Sequence, residues 1–362
     1  MPGAPELRID QLTGLRTVLA PGRADRPDQF RSAAGSEAAA AKAASCPFCE
    51  GREDRTPPEL YALRPQGGEA DGPGWKTRVV PNLYPALGGE AGPEGGAPSG
   101  GGAGGPGAEA GAFASGGDPL LASRRTGEPD LFSARPARGA HEVLINSPAH
   151  VTAMAELDEA QFAAAVATWR ERMRAHSGAS YVQLIVNEGG GAGASLEHTH
   201  AQLYALPFVP AAVARERERA GAYAERTAGS GLLSDVLVEE VRRQERLVAI
   251  DDEAALICPW ASRSPFELRV VPRREAASFA DDEAGAAMIR TAMRVLAARF
   301  DGPPELNLWV RTAPGRDDRF HWHVDIAPRL TIKAGFELGT GVDINIYPPE
   351  RAASDLREAL PS

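Results

Sequence analysis

Hydrophobic and polar positions along this 362-residue chain follow two rhythms, one of two residues and one of about 3.6, and the same order of rhythms occurs twice. In the first half, residues 141–146 (HEVLIN) read as a strand that Ser147-Pro148 terminates. A helix follows, with Phe162, Val166, Trp169 and Met173 on one face. Residues 181–187 (YVQLIVN) form the next strand and lead through a glycine-rich turn to a further strand reading His198-Thr199-His200-Ala201-Gln202. In the second half, residues 266–271 (FELRVV) form a strand closed by Pro272, and a helix then aligns Ile289, Met293, Leu296 and Phe300. The strand 306–310 and the pair His321-x-His323 complete the copy. Both helical faces have the spacing of an amphipathic helix. The interval from Glu142 to His198 nearly equals that from Glu267 to His321. Matching order, period and length predict two related α+β units, each an antiparallel sheet with a helix against it.

Three other stretches punctuate this plan. Residues 88–117 are nearly all Gly, Ala, Pro, Ser and Glu, a composition that buries too little to offset its ordering entropy, so a disordered insertion is expected there. Residues 210–246 are charged and helical in pattern, and the chain closes on a proline-initiated helix near 350–360. The division that follows is a first domain at 1–209, which contains the insertion, and a second at 210–362.

Composition narrows the function classes. With 43% hydrophobic residues the chain has enough apolar mass for a sizeable core. A formal net charge of -10 argues against a broad nucleic-acid or anionic-membrane footprint, but two or three placed arginines suffice for a phosphorylated small molecule. No apolar run approaches a membrane span and the N-terminal MPGAPELRID has no signal core, so a soluble, cytoplasmic protein is expected. Three cysteines cannot form a disulfide framework for a chain of this size.

The chemistry concentrates in two places. Cys46-Pro-Phe-Cys49 has the spacing with which two thiolates share one tetrahedral ion, and His150 and His198 are the best candidates to complete the set. A redox pair is the competing reading, but Glu50-Gly51-Arg52 and later prolines do not open a thioredoxin-like helix. Alternation on the histidine strand puts His198, His200 and Gln202 on one face. The glycines at 189–193 and Ser195 just before it can form a cradle for phosphate. A neutral imidazole is a competent nucleophile toward phosphorus near neutral pH. Metal ligation or hydrogen bonding in the core are the other uses of such a pair.

Several motifs together resemble the galactose-1-phosphate uridylyltransferase family of the histidine-triad superfamily. They are Asp10-x-Leu12-Thr13-Gly14, Arg23-Ala-Asp-Arg26-Pro27, Cys46-x-x-Cys49, Arg78-Val-Val-Pro-Asn82-Leu-Tyr84, Ser147-Pro-Ala-His150, His198-x-His200-x-Gln202 and Gly335-Phe336-Glu337. The resemblance implies two fused histidine-triad-like units. It makes Cys46, Cys49, His150 and His198 the ligands of a structural zinc ion and His200 the nucleophile. Arg23 and Arg26 would contact phosphate, Asn82 the base and ribose, and Asn187, Ser195 and Gln202 the transferred phosphate. Glu337 would bind sugar hydroxyls. The implied reaction moves UMP between UDP-glucose and a hexose 1-phosphate such as galactose 1-phosphate, in galactose metabolism, through a covalent nucleotidyl-histidine. The implied partner is a second copy, a homodimer in which one subunit completes the other's site.

Two departures bear on this. The best-known members have a second metal held by a glutamate and three histidines; Glu216, His321 and His323 match, but Arg311 stands where the first histidine is expected. Asn82-Leu83-Tyr84 replaces the usual Asn-Asp-Phe and is closer to relatives that handle adenylyl groups, such as ADP-sugar phosphorylases. A nucleotide hydrolase is disfavoured by Gln202, which cannot exchange protons as a third histidine can. A non-catalytic zinc-stabilised nucleotide-binding protein is the remaining alternative.

Overall fold

A computed structural model of the chain describes residues 6–20, 45–88, 137–315 and 319–360. Arg23, Arg26 and all of the glycine-rich insertion except Gly88 lie outside these residues. In chain order the elements are β1 (Glu6–Ile9), β2 (Arg16–Leu19), β3 (Tyr61–Leu63), β4 (Thr77–Pro81), β5 (Ala140–Ile145), α1 (Glu159–Ala175), β6 (Tyr181–Glu188) and β7 (His200–Leu206). They continue with α2 (Ala211–Arg226), α3 (Leu232–Arg243), β8 (Leu247–Ile250), β9 (Ala254–Ile257), β10 (Leu268–Pro272), α4 (Ala286–Arg299), β11 (Leu306–Arg311) and β12 (His323–Pro328). The last are α5 (Gly335–Thr340), β13 (Asp343–Asn345) and α6 (Pro349–Glu358).

Ten strands form one sheet in the order β3-β4-β5-β7-β6-β11-β12-β10-β9-β8. Read outward from the central β6–β11 pair, the two halves have the same order once β7 is matched with β12, β5 with β10, β4 with β9 and β3 with β8. The internal repeat is therefore real, but its copies do not have separate sheets. Their innermost strands pair antiparallel, Leu306 opposite Glu188 and Trp309 opposite Ile185, so two edges that would expose unpaired backbone groups satisfy each other. A smaller sheet, β1-β2-β13, ties the first described strands to the last, with β13 parallel to β2.

Both repeat helices cover one face of the large sheet. Asp158 caps α1 by accepting from the Gln161 N–H at 2.7 Å, and Phe162, Val166, Trp169 and Met173 are buried as their spacing predicts. Helix α4 buries Ile289, Met293 and Leu296 in the same core. Phe300 differs from expectation, since the helix has ended there and the residue occupies the C-cap, edge-on to Phe266. Gly285 begins α4 at φ 86, and a Cβ on it would stand 3.0 Å from the Trp322 ring, so glycine is needed twice over. The opposite face of β4, β5 and β7 carries a satellite core of Cys46, Phe48, Trp75, Val80, Val143 and Ile145. That satellite core holds the chemistry.

Candidate active site

Strand β7 begins at His200, two residues later than the sequence pattern suggests. Thr199 is instead held outside the strand, its N–H donating to the Val151 carbonyl at 2.7 Å. His198 is thereby free to turn away from the alternating row. It gives Nε2–H to the Ser147 carbonyl at 2.8 Å, which leaves Nδ1 with its lone pair 3.5 Å from Cys46 Sγ and 3.7 Å from Cys49 Sγ. His150 Nδ1 lies 3.5 Å from Cys49 Sγ. The Glu50 N–H donates to the Pro148 carbonyl at 3.0 Å and clamps the cysteine turn against the Ser147-Pro148 turn.

The four ligand atoms all lie within 4.8 Å of one another, and among the described residues they make the one group of His, Cys, Asp or Glu placed to hold a metal ion. Metal–sulfur and metal–nitrogen bonds of about 2.3 and 2.0 Å at the tetrahedral angle require an S···N edge of about 3.5 Å. The donor set and its spacing fit a tetrahedral cation with no position left open. Without one, burial and the neighbouring Cys46 push the Cys49 thiol up to about 11, and burial pushes His198 down to about 4. A cation would replace the thiol proton and draw both thiolates and the neutral imidazole onto itself.

His200 has a different fate. Its Nδ1 donates to the His198 carbonyl at 2.7 Å, so the neutral ring carries its lone pair on Nε2. Burial holds its pKa below the ordinary histidine value. Phe48, between the two cysteines, packs edge-on against the ring at 5.3 Å between centroids. Strand alternation then places Gln202 and Tyr204 on the same face as His200, with Ala201, Leu203 and Ala205 in the core behind. The β6–β7 register pairs Val186 with Ala201 and so brings Asn187 level with His200 from the other side.

Two of the glycines before the histidine strand make room for a carboxylate of the protein itself. A Cβ on Gly189 or Gly191 would collide with Glu305, whose carboxylate accepts from the Gly191 N–H at 2.9 Å. Their role is to let Glu305 anchor the turn. Ser195 lies exposed in the loop beyond, three positions before His198. Asn82 follows β4, with Oδ1 accepting from the Tyr84 N–H at 2.9 Å and Nδ2 3.0 Å from His141 Nε2. Glu337 stays on α5, where its carboxylate accepts from the Ala334 N–H at 3.0 Å.

Comparison with known proteins agrees with this geometry. A family model described as galactose-1-phosphate uridyl transferase, N-terminal domain, matches residues 117–210, a stretch that includes β5, α1, β6 and β7. ADP-glucose phosphorylase of Arabidopsis thaliana is 28% identical over 98% of this chain and 93% of its own. Galactose-1-phosphate uridylyltransferase of Cryptococcus neoformans is 28% identical over 67% of this chain and 71% of its own. The crystal structure of the Arabidopsis ADP-glucose phosphorylase with bound ADP-glucose superposes with a TM-score of 0.73 at 26% identity, covering 98% of this chain and 99% of that one. In sequence and in fold the chain is similar to the galactose-1-phosphate uridylyltransferase family.

A family second metal is not supported by the residues in the other half. His321 gives Nε2–H to the Pro272 carbonyl at 2.9 Å, as His198 does to Ser147, and its Nδ1 lies 3.2 Å from Ser234 Oγ. His323 Nδ1 faces the His321 carbonyl at 3.3 Å, as His200 faces that of His198. There the likeness ends. His323 Nε2 lies 3.5 Å from Glu216 and 3.6 Å from Asp325. Arg269 binds Asp325 at 2.7 Å and Arg311 stands 3.8 Å from Glu216. The arginine side chains place positive charge beside both carboxylates, so His323 lies in a network of charged side chains.

Other residues in contact with His200, Asn82, Gln202 or Asn187 escaped the sequence reading. Phe48 had a signal in its place inside the cysteine turn, and Tyr204 in its place on the row of alternating polar residues. His141 and Asn307 had none, because each acts across a strand pairing.

Proposed function

We propose that this chain is an ADP-sugar phosphorylase that works through a covalent nucleotidyl-His200. The observation that carries the covalent step is the His200 Nδ1–H bond to the His198 carbonyl, which leaves the lone pair of the neutral ring on Nε2. In the step, the Nε2–P bond forms at the α-phosphorus and the P–O bond to the sugar phosphate breaks, its electron pair leaving with the sugar 1-phosphate. The positive charge that develops on the ring is stabilised by the His198 carbonyl at Nδ1–H. Inorganic phosphate then attacks the same phosphorus and displaces Nε2, restoring the neutral imidazole. Gln202 and Asn187 would donate to the nonbridging oxygens, Asn82 would meet the nucleoside, and Arg23 and Arg26 the phosphate of the sugar phosphate. A zinc ion on Cys46, Cys49, His150 and His198 would serve as a structural clamp that fixes the residue two places before the nucleophile.

Two observations favour adenylyl over uridylyl transfer: similarity to ADP-glucose phosphorylase along nearly the whole chain, and Leu83-Tyr84 after Asn82. Similarity to uridylyltransferases over about two thirds of the chain favours the second reading, transfer of UMP from UDP-glucose to galactose 1-phosphate. A panel of ADP-glucose and UDP-glucose against phosphate and galactose 1-phosphate separates them. The first reading expects phosphate-dependent consumption of ADP-glucose. Consumption of UDP-glucose alone with galactose 1-phosphate supports the second, and release of free nucleotide at full rate without any acceptor contradicts both.

A further inference from the structure

Two side-chain amides flank His200, Gln202 further along the same strand and Asn187 on the neighbouring one. An amide has a donor end and an acceptor end of nearly equal shape, so its use beside an anion depends on which end faces outward. The NH2 end attracts a phosphoryl oxygen and the carbonyl end repels it.

The carbonyl of Gln202 is held from two sides. The Tyr204 hydroxyl donates to Oε1 at 2.9 Å, and His141 Nε2 lies 3.0 Å from the same oxygen. The Ala86 N–H donates to His141 Nδ1 at 3.1 Å, so the neutral ring carries its proton on Nε2 and gives it to Gln202. The Asn82 amide nitrogen, also 3.0 Å from that Nε2, is therefore a packing neighbour and not a donor to it. His141 pairs with Tyr204 across β5 and β7, and their rings stack at 4.0 Å and 24°. The two donors to Gln202 thus support each other.

On the other side, Asn307 Nδ2 reaches both the Ala192 carbonyl and Asn187 Oδ1, each at 2.8 Å. A backbone carbonyl only accepts, so the Asn307 group there is its NH2, and the atom of Asn187 that shares it is the carbonyl. Among the described residues no hydrogen bond engages the NH2 of either Gln202 or Asn187. We propose that His141 and Tyr204 on one side, and Asn307 on the other, are positioning residues that fix the polarity of the two amides so that both turn their NH2 groups to the phosphoryl group on His200. This rests on the reading of His200 as the nucleophile.

The test follows the rate at which α-labelled ADP-glucose or UDP-glucose, whichever the chain consumes, places label on the protein. Tyr204→Phe removes one donor to Gln202 and lowers that rate about tenfold, the size of one hydrogen bond to a charged group. The same change in a Gln202→Ala background has no further effect. Asn307→Ala behaves in the same way, costly alone and silent when added to Asn187→Ala. Melting temperature and bound metal stay as in the unaltered chain, which a purely structural role would not allow. Equal losses in both backgrounds, or no loss in the single variants, overturn the proposal. An unaltered chain that takes no label with either donor refutes the nucleophile reading itself and this proposal with it, an outcome distinct from labelling that ignores Tyr204 and Asn307.

Discussion

His198 and His200 are two residues apart, yet a pair of backbone carbonyls gives them opposite tautomers. His198 spends Nε2–H on Ser147 and turns Nδ1 to the cysteines, whereas His200 spends Nδ1–H on His198 and keeps its lone pair on Nε2. The histidines, the cysteine pair and Gln202 were legible in the sequence because their chemistry is rare and their spacing tight. The tautomers were not, since they depend on carbonyls from turns whose geometry no local pattern encodes. Glu188 is a second residue whose state is set by surroundings. Burial pushes its pKa to about 8 from an ordinary 4.5, and among the described residues only the Met154 N–H donates to it. A raised carboxyl pKa means that the unfolded chain ionises first, so stability falls as pH rises from about 4.5 to about 8. Melting temperatures measured at pH 5.5 and 8.5 should differ less in Glu188→Gln than in the unaltered chain, and an equal difference in both excludes this assignment.

At the scale of elements, α1 reaches the site through one tryptophan. Trp169 is fully buried, and its indole N–H donates at 3.0 Å to Asn146, whose NH2 reaches Thr199 Oγ1 at 3.2 Å between the two histidines. Trp169→Ala should cost about 3–5 kcal/mol in denaturant unfolding, the range for emptying a large core site. A loss below 1 kcal/mol, estimated on the same scale, would mean the helix is not seated as described. The cysteine turn is an element of the same kind. Chelation, or Cys49→Ser, should release one metal equivalent per chain and lower the melting temperature on the order of 10 °C. Unchanged melting after metal release would show that the turn does not depend on the ion. The helix faces and most strands could be read from periodicity, because burial on one side imposes it. The start of β7 could not, as the Thr199 N–H is spent on a tertiary contact with Val151.

Across the whole molecule, the two repeats share a sheet but have diverged in charge. The first keeps neutral amides around its second histidine, whereas the second surrounds His323 with Glu216, Asp325, Arg269 and Arg311. Burial opposes ionisation of Asp325, but Arg269 and His323 hold its carboxyl well below the ordinary range. Asp325→Ala strands the buried Arg269 and should destabilise the fold by about 3–5 kcal/mol, read by denaturant unfolding. A cost near zero would mean the network is dispensable. The repeat itself was visible in the sequence, since both copies must bury the same helix face. Its closure into a single sheet was not, because the pairing of β6 with β11 leaves no local signature.

The central claim is a bond between His200 Nε2 and phosphorus. Peptide mass mapping after brief exposure to ADP-glucose or UDP-glucose, quenched at alkaline pH, tests it most directly. A nucleoside monophosphate adduct on His200, lost in mild acid and absent from His200→Ala, is the predicted result. Turnover of the donor with an adduct on another residue, or with none at any time point, contradicts it.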